Sequence, residues 1–425
     1  MIPKHFVKKV NGLKTIFVPF NTNTTSISLT FNIGYFDENN RETGITHFIE
    51  HLIATSIREG KTMKEYQKKG IYVEANASTS LFFTNYYLNS DSKYSNKILK
   101  LLLESFLDFK VPYIFLERER KSVIVEMAKK VSDPIDKSFN IEIIKHLFKN
   151  DKLVRDPKKH IDNIYNITPN DLLVFFNKHY EIKNSILLIS GNFDQKSIEE
   201  TIHNYKFNNV KFNIKERSLF LKNNHNFKSI FVEDKNASLV RLIYTFKTFN
   251  SNDINKYKIK MISTIFDNIG SESILFYNLR VKLGVSYSPF SNIETNQYYG
   301  TLSIIVDTNL NNVSIVNNEI FSILQSLKRM LLQDKYLKLA KARLKYDLLL
   351  FKNDMKSSNY ITYGVKYINK INIEDPFKIY KDYYSKLTSK DLLKVSNKIF
   401  KSENLVIVNI FKHNVKSNYE IFKFL

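Results

Sequence analysis

The sequence predicts an α+β fold made of two homologous domains, each a largely antiparallel sheet packed with helices. Three observations carry this. The segment ITPNDLLVFFNKHYEIKNSILLI (167–189) aligns without a gap on LTSKDLLKVSNKIFKSENLVIVN (387–409), at an offset of 220 residues, about half the chain. Both copies read alike: a Thr N-cap with Asp three residues on, an amphipathic helix, an Asn and an apolar strand. Strand-like alternation and helix-period runs are mixed in both halves, as the α+β class requires. A chain of 425 residues also exceeds one ordinary core.

In chain order, SISLTFNIG (26–34) alternates Ile27, Leu29, Phe31 and Ile33 against polar neighbours, predicting a half-buried strand. Gly44 and Thr46 stand ahead of Phe48, Ile49, Leu52 and Ile53, predicting a helix start. LERERKSVIVEMAKKVSDP (116–134) reads as another helix, with Glu119 and Glu126 on one face. A polar stretch rich in Asn and Lys near 206–228 predicts the linker. The expected division is therefore a first domain at 1–210, a linker at 211–228 and a second domain at 229–425. SLVRLIYTF (238–246) predicts the second domain's counterpart strand, followed by a helix-period run from Ile254 to Ile269.

Composition bounds the function. Hydrophobic content of 43% with 25% charged residues is that of a soluble globular chain, not a disordered one. The 64 Lys and Arg against 42 Asp and Glu give a net charge of +22, which taken alone suggests a polyanionic partner. The lysines are scattered instead of blocked, and they accompany abundant Asn, Ile, Phe and Tyr, all residues of AT-rich codons. The reading is therefore no nucleic-acid partner. The absence of cysteine excludes disulfides, thiolate metal sites and a cysteine nucleophile. MIPKHFVKKVNGLKTIFVPF shows no signal-peptide core or presequence, and no apolar run is long enough to span a membrane, so a cytoplasmic protein without membrane contact is expected.

The chemistry concentrates in His47-Phe48-Ile49-Glu50-His51. On a helix, His47 and His51 lie one above the other and reach a single ion, while Glu50 stands beside that face, where it meets a water instead of the ion. The motif is H-x-x-E-H, the inverse of H-E-x-x-H. A catalytic zinc needs a third protein ligand, and the other histidines show no paired spacing, so a carboxylate is favoured. Glu117, Glu119 and Glu126 are the candidates. Glu117 reads as a surface charge, and Glu126, between Val125 and Met127, is the more attractive inward residue. Residue reading alone goes no further.

These residues resemble the inverted zinc metallopeptidases of the pitrilysin and insulinase family, in its half-length branch. NGLKTIFVP (11–19) is similar to the family's opening strand, GYFDENNRETGITHFIEH to its approach to the metal helix, and GIYVEANASTSLFFTNYY (70–87) to its edge strand. The family's ligand glutamate follows the second histidine by about 75 residues, and 126 − 51 = 75. The resemblance thus implies that His47, His51 and Glu126 hold one Zn²⁺ per chain, with Glu50 acting on the water and Glu119 supporting the site. It places substrate binding on Asn76, Ala77, Ser78 and Thr79, and, through SESILFYNLRVKLGVSYSPFS (271–291), on Arg280 and Tyr287. It implies a zinc endopeptidase for short unfolded peptides, enclosed in a homodimer or in a heterodimer with a related chain. A non-catalytic structural subunit is the alternative within the family. Two departures concern the walls of the site: RDPKKHI (155–161) lacks the family's usual glycines, and LIATSIREG after His51 differs from the common version.

Overall fold

The computed structural model describes residues 5–107, 109–111, 113–181, 184–207, 217, 221, 226–353, 376–412 and 419–425. Most of the expected linker at 211–228, together with His225 and His413, lies outside the described residues. The strands are β1 (Phe6–Val10), β2 (Leu13–Pro19), β3 (Thr24–Phe31), β4 (Val73–Thr79), β5 (Thr84–Asp91) and β6 (Ser185–Gly191), then β7 (Lys228–Glu233), β8 (Val240–Thr248), β9 (Phe290–Thr295), β10 (Gly300–Thr308) and β11 (Leu405–Phe411). They form a six-stranded sheet, β1-β2-β6-β3-β5-β4, and a five-stranded sheet, β7-β11-β8-β10-β9.

With β1 set aside, the two sheets have one topology. β2 pairs in parallel with β6 as β7 does with β11, and every other ladder is antiparallel. The repeated segments supply matching helix–strand units: helix Pro169–His179 leads into β6, and helix Ser389–Ile399 into β11. Thr168 and Asp171 form a reciprocal capping box at the first helix, as do Thr388 and Asp391 at the second. The matched asparagines also have a physical reason. Asn184 Nδ2 donates to His179 O at 3.0 Å and Asn404 Nδ2 to Lys398 O at 3.2 Å, each satisfying a carbonyl at its helix's C-terminal end.

The chain divides into two compact units. One holds Met1–Ser132 and Arg155–Arg217, and the other Asp133–Val154, Ser218–Asp354 and the C-terminal strand and helices. Residues 133–154, which a cut at the linker assigns to the first domain, belong to the second. Their apolar side chains explain it: Ile144, Leu147 and Phe148 are buried there, and the Phe148 ring lies 4.4 Å from that of Tyr299. β3 differs too from the half-buried strand its alternation predicts. It is central, between β6 and β5, and Ser28 and Thr30 are buried as fully as the apolar residues. Thr30 is satisfied by Asn85 Oδ1 at 2.7 Å, so a polar residue reads as outward in sequence yet lies inside. Among the described residues no helix is long and apolar enough to cross a membrane.

Candidate metal centre

The H-x-x-E-H residues lie on helix Ile45–Glu59, which is buried along most of its length, including His47 and Glu50. Its N-cap is Gly44, at φ 94°, a left-handed conformation that disfavours any side chain. Space also forbids one, because a Cβ at this position would lie 2.3 Å from Cδ2 of His160. The first helical turn leaves backbone N–H groups without intrahelical partners. Glu38, from the preceding loop, supplies acceptors: Oε2 takes Gly44 N–H at 2.8 Å and Oε1 takes Thr46 N–H at 2.9 Å. Beside it, Arg217 donates to both Asp37 oxygens at 2.7 and 2.5 Å and to Asn32, fastening that loop.

Burial pushes the Glu38 carboxyl up to about 8, against the lowering effect of its two N–H bonds. The folded chain thus favours the protonated form, so this contribution to stability is present in full below the ordinary pKa of 4.5 and is lost as pH rises through about 8. Over that window wild type is expected to lose several degrees of Tm relative to Glu38→Gln, read on metal-free protein. Parallel Tm curves for the two would contradict this account of Glu38.

Helix Tyr113–Ser132 brings the glutamates to the histidines. Leu116, Glu119, Val123 and Met127 are its buried side, and Glu126 sits at the edge of that face. Glu126 Oε2 lies 3.5 Å from His47 Nε2 and 3.3 Å from His51 Nε2, while its Oε1 accepts Lys130 Nζ at 2.9 Å. Glu119, buried, accepts from His51 Nδ1 at 3.2 Å. Glu117, at 61% side-chain exposure, instead pairs with Arg120 on the surface. The Glu126 carboxyl is held well below the usual carboxylate range, first by its bonds to His47 and then to His51. At His51, burial works against the charge, but Glu126, Glu50 and Glu119 together raise its pKa.

The donor set fits a divalent cation. Ligand atoms of a tetrahedral zinc with bonds of about 2.0–2.1 Å stand roughly 3.3–3.5 Å apart. The Glu126 oxygen stands at that spacing from each of the two imidazole nitrogens, and all three atoms lie within 4.8 Å of one another. Glu50 is set apart from them. Its Oε2 is 3.9 Å from His47 Nε2 and accepts the Thr79 hydroxyl at 3.0 Å.

Thr79 ends β4, the sheet's edge strand, whose burial alternates. Ala77 and Thr79 face inward, whereas Asn76 and Ser78 are exposed. Ala77 N–H donates to Asn76 Oδ1 at 2.9 Å. Arg280 and Tyr287 belong to the second unit. Arg280, on the π-helical segment Phe276–Lys282, stacks on Tyr287 with its guanidinium 4.1 Å from the ring centre and donates to the Tyr287 carbonyl at 3.2 Å. Tyr287 itself is 77% exposed. Residue reading had no signal for Glu38, Arg217 or His160, which reach the metal helix or its loop only through tertiary contacts.

A duplicated α+β chain in which an H-x-x-E-H helix and helix Tyr113–Ser132 bring two histidines and a glutamate together defines a class, the inverted-motif metallopeptidase type. Comparison with known proteins agrees. Residues 19–156 match the family model described as insulinase (peptidase family M16), and residues 166–344 the model described as peptidase M16 inactive domain. The chain is similar to a Rickettsia felis protein described as an uncharacterized zinc protease, 25% identical over 407 residues covering 93% of this chain and 94% of that one. It is 28% identical to the beta subunit of the mitochondrial processing peptidase of Saccharomyces cerevisiae over 206 residues, 47% of this chain and 43% of the subunit. The fold is shared with a protease from Helicobacter pylori, with a TM-score of 0.84 at 22% identity over 96% of this chain and 99% of the other. The chain belongs to peptidase family M16.

Proposed function

We propose that the chain is a zinc-dependent endopeptidase for short unfolded peptides. The observation that carries this is the spacing of His47, His51 and Glu126, suited to a tetrahedral ion, with the Glu50 carboxylate held just outside that set. A zinc ion held there supplies Lewis acidity toward a carbonyl and lowers the pKa of water toward about 7. Glu50 takes the proton of the attacking water and returns it to the leaving amine. The Thr79 hydroxyl fixes the rotation of that carboxylate, with Oε2 toward His47. Glu119 holds His51 with its Nδ1 protonated, leaving Nε2 as the ligand atom. The peptide adds to β4, the edge strand of its sheet, as a further strand through backbone hydrogen bonds, which fits broad sequence tolerance.

From the resemblance, the chain works as a homodimer enclosing the site. The other reading, a non-catalytic subunit, is disfavoured because His47, Glu50, His51 and Glu126 are all in place. A quenched unstructured peptide assayed with and without chelator separates the two. Chelator-sensitive cleavage that spares a stably folded domain supports the proposal, and a zinc-loaded protein inert toward many peptides contradicts it.

Arg280 and Tyr287 are proposed to bind the substrate backbone. Tyr287→Phe keeps the ring and its stacking with Arg280 but removes one hydroxyl. It is expected to lower kcat/KM by roughly 10-fold to 1000-fold with zinc content unchanged, the scale of one lost oxyanion-type donor. Wild-type kinetics on several unrelated peptides would return Tyr287 to a packing role.

A further inference from the structure

The two histidines of the motif differ in how their second nitrogens are served. His51 Nδ1 donates to Glu119 at 3.2 Å. His47 Nδ1 is buried and has no hydrogen-bond partner among the described residues. If His47 gives its Nε2 to a metal, its single proton must reside on Nδ1, and a buried N–H without an acceptor costs free energy.

An acceptor stands next to it. His160, on helix Pro157–Ile164, is 5% exposed, and its Nε2 is likewise buried without a partner among the described residues. The two rings are perpendicular with centres 5.3 Å apart, a separation that allows nitrogen-to-nitrogen hydrogen-bond distance when the two nitrogens face each other. His160 is not a loose neighbour. Its ring lies against Gly44, where any Cβ would collide with it, and 5.9 Å from the Tyr35 ring. The helix that carries it packs on the helix of Glu119 and Glu126.

We propose that His160 is a positioning residue for the metal centre, accepting the Nδ1–H of His47 on its own Nε2. With a metal bound, that bond keeps the single proton of His47 on Nδ1 and leaves Nε2 as the ligand atom, doing for His47 what Glu119 does for His51. His160 stays outside the ligand set, since its nitrogens do not join the group formed by His47, His51 and Glu126. It also gives a reason for glycine at 44: the helix must begin without a side chain so that this imidazole can reach His47.

The inference rests on the metal reading above, and its test has an arm that does not. In metal-free wild-type protein labelled with ¹⁵N-histidine, long-range proton–nitrogen spectra are expected to show His47 protonated on Nδ1 and His160 unprotonated on Nε2. A proton on His160 Nε2, or none on His47 Nδ1, overturns the proposal. In the second arm, zinc affinity is measured by competition with a chelator. His160→Leu is expected to bind zinc about 10-fold to 100-fold more weakly, the usual cost of losing such a partner. His160→Gln, which returns an acceptor near the Nε2 position, is expected to recover most of that loss. Wild-type affinity in His160→Leu, or equal weakening in both variants with unchanged metal-free Tm, contradicts the proposal. Should wild type take up no zinc, the metal reading falls, and the tautomer spectra still decide the role of His160.

Discussion

Glu50→Gln is expected to abolish peptide hydrolysis while the protein keeps about one zinc per chain. The carboxylate stays outside the group formed by His47, His51 and Glu126, with its Oε2 3.9 Å from His47 Nε2, so its loss is expected to remove a proton carrier and not a ligand. Glutamine keeps the size of the side chain and still offers an oxygen to the Thr79 hydroxyl, so the local packing is preserved. Loss of general acid and base action at one residue alone accounts for roughly 100-fold to 10,000-fold in rate. The checks are kcat/KM on a quenched peptide and elemental analysis of the same sample. A variant that retains substantial activity would mean that another group moves the proton.

Glu126→Ala and His51→Ala are expected to act differently, losing zinc and activity together. Without Glu126, two imidazoles remain and the one anionic donor of the set is gone. Without His51, Glu119 also loses the imidazole it holds, leaving a buried carboxylate with Arg118 as its remaining partner. Zinc occupancy after dialysis at micromolar protein is expected to fall from about one per chain to near zero in both. Full retention in either variant would remove that residue from the ligand set.

The H-x-x-E-H pair was legible because helix geometry is local: residues four apart share a face whatever surrounds the helix. Glu126 was only partly so. Its own sequence window offered three glutamates, of which Glu117 read as a surface charge and Glu126 as the more attractive inward residue, and the family spacing settled the choice. The side-chain directions then separate them physically, with Glu117 outward, Glu119 buried behind His51 and Glu126 at the rim. Thr79, Glu38 and His160 meet the metal helix from three other segments of the chain. No periodicity encodes such meetings, which depend on how β4, the loop before the helix and helix Pro157–Ile164 come together.

At the level of the fold, the repeat was readable because each copy needs the same Thr–Asp cap and the same Asn at the end of its helix. The placement of residues 133–154 was not. A division drawn at a polar linker assumes that each domain is continuous in sequence, whereas Ile144, Leu147 and Phe148 bury their apolar surface in the second unit. Full burial of β3 was hidden for a related reason, since Ser28 and Thr30 carry hydroxyls that look solvent-facing until their sheet neighbours are known.

The most direct test of the central claim is an anomalous-difference map at the zinc absorption edge, from crystals grown with the metal supplied. The account predicts a single peak per chain about 2.0–2.2 Å from His47 Nε2, His51 Nε2 and a Glu126 oxygen, with Glu50 off the ion. A map with no peak among these residues, or with Glu119 or His160 in place of Glu126 as the third ligand, would contradict it.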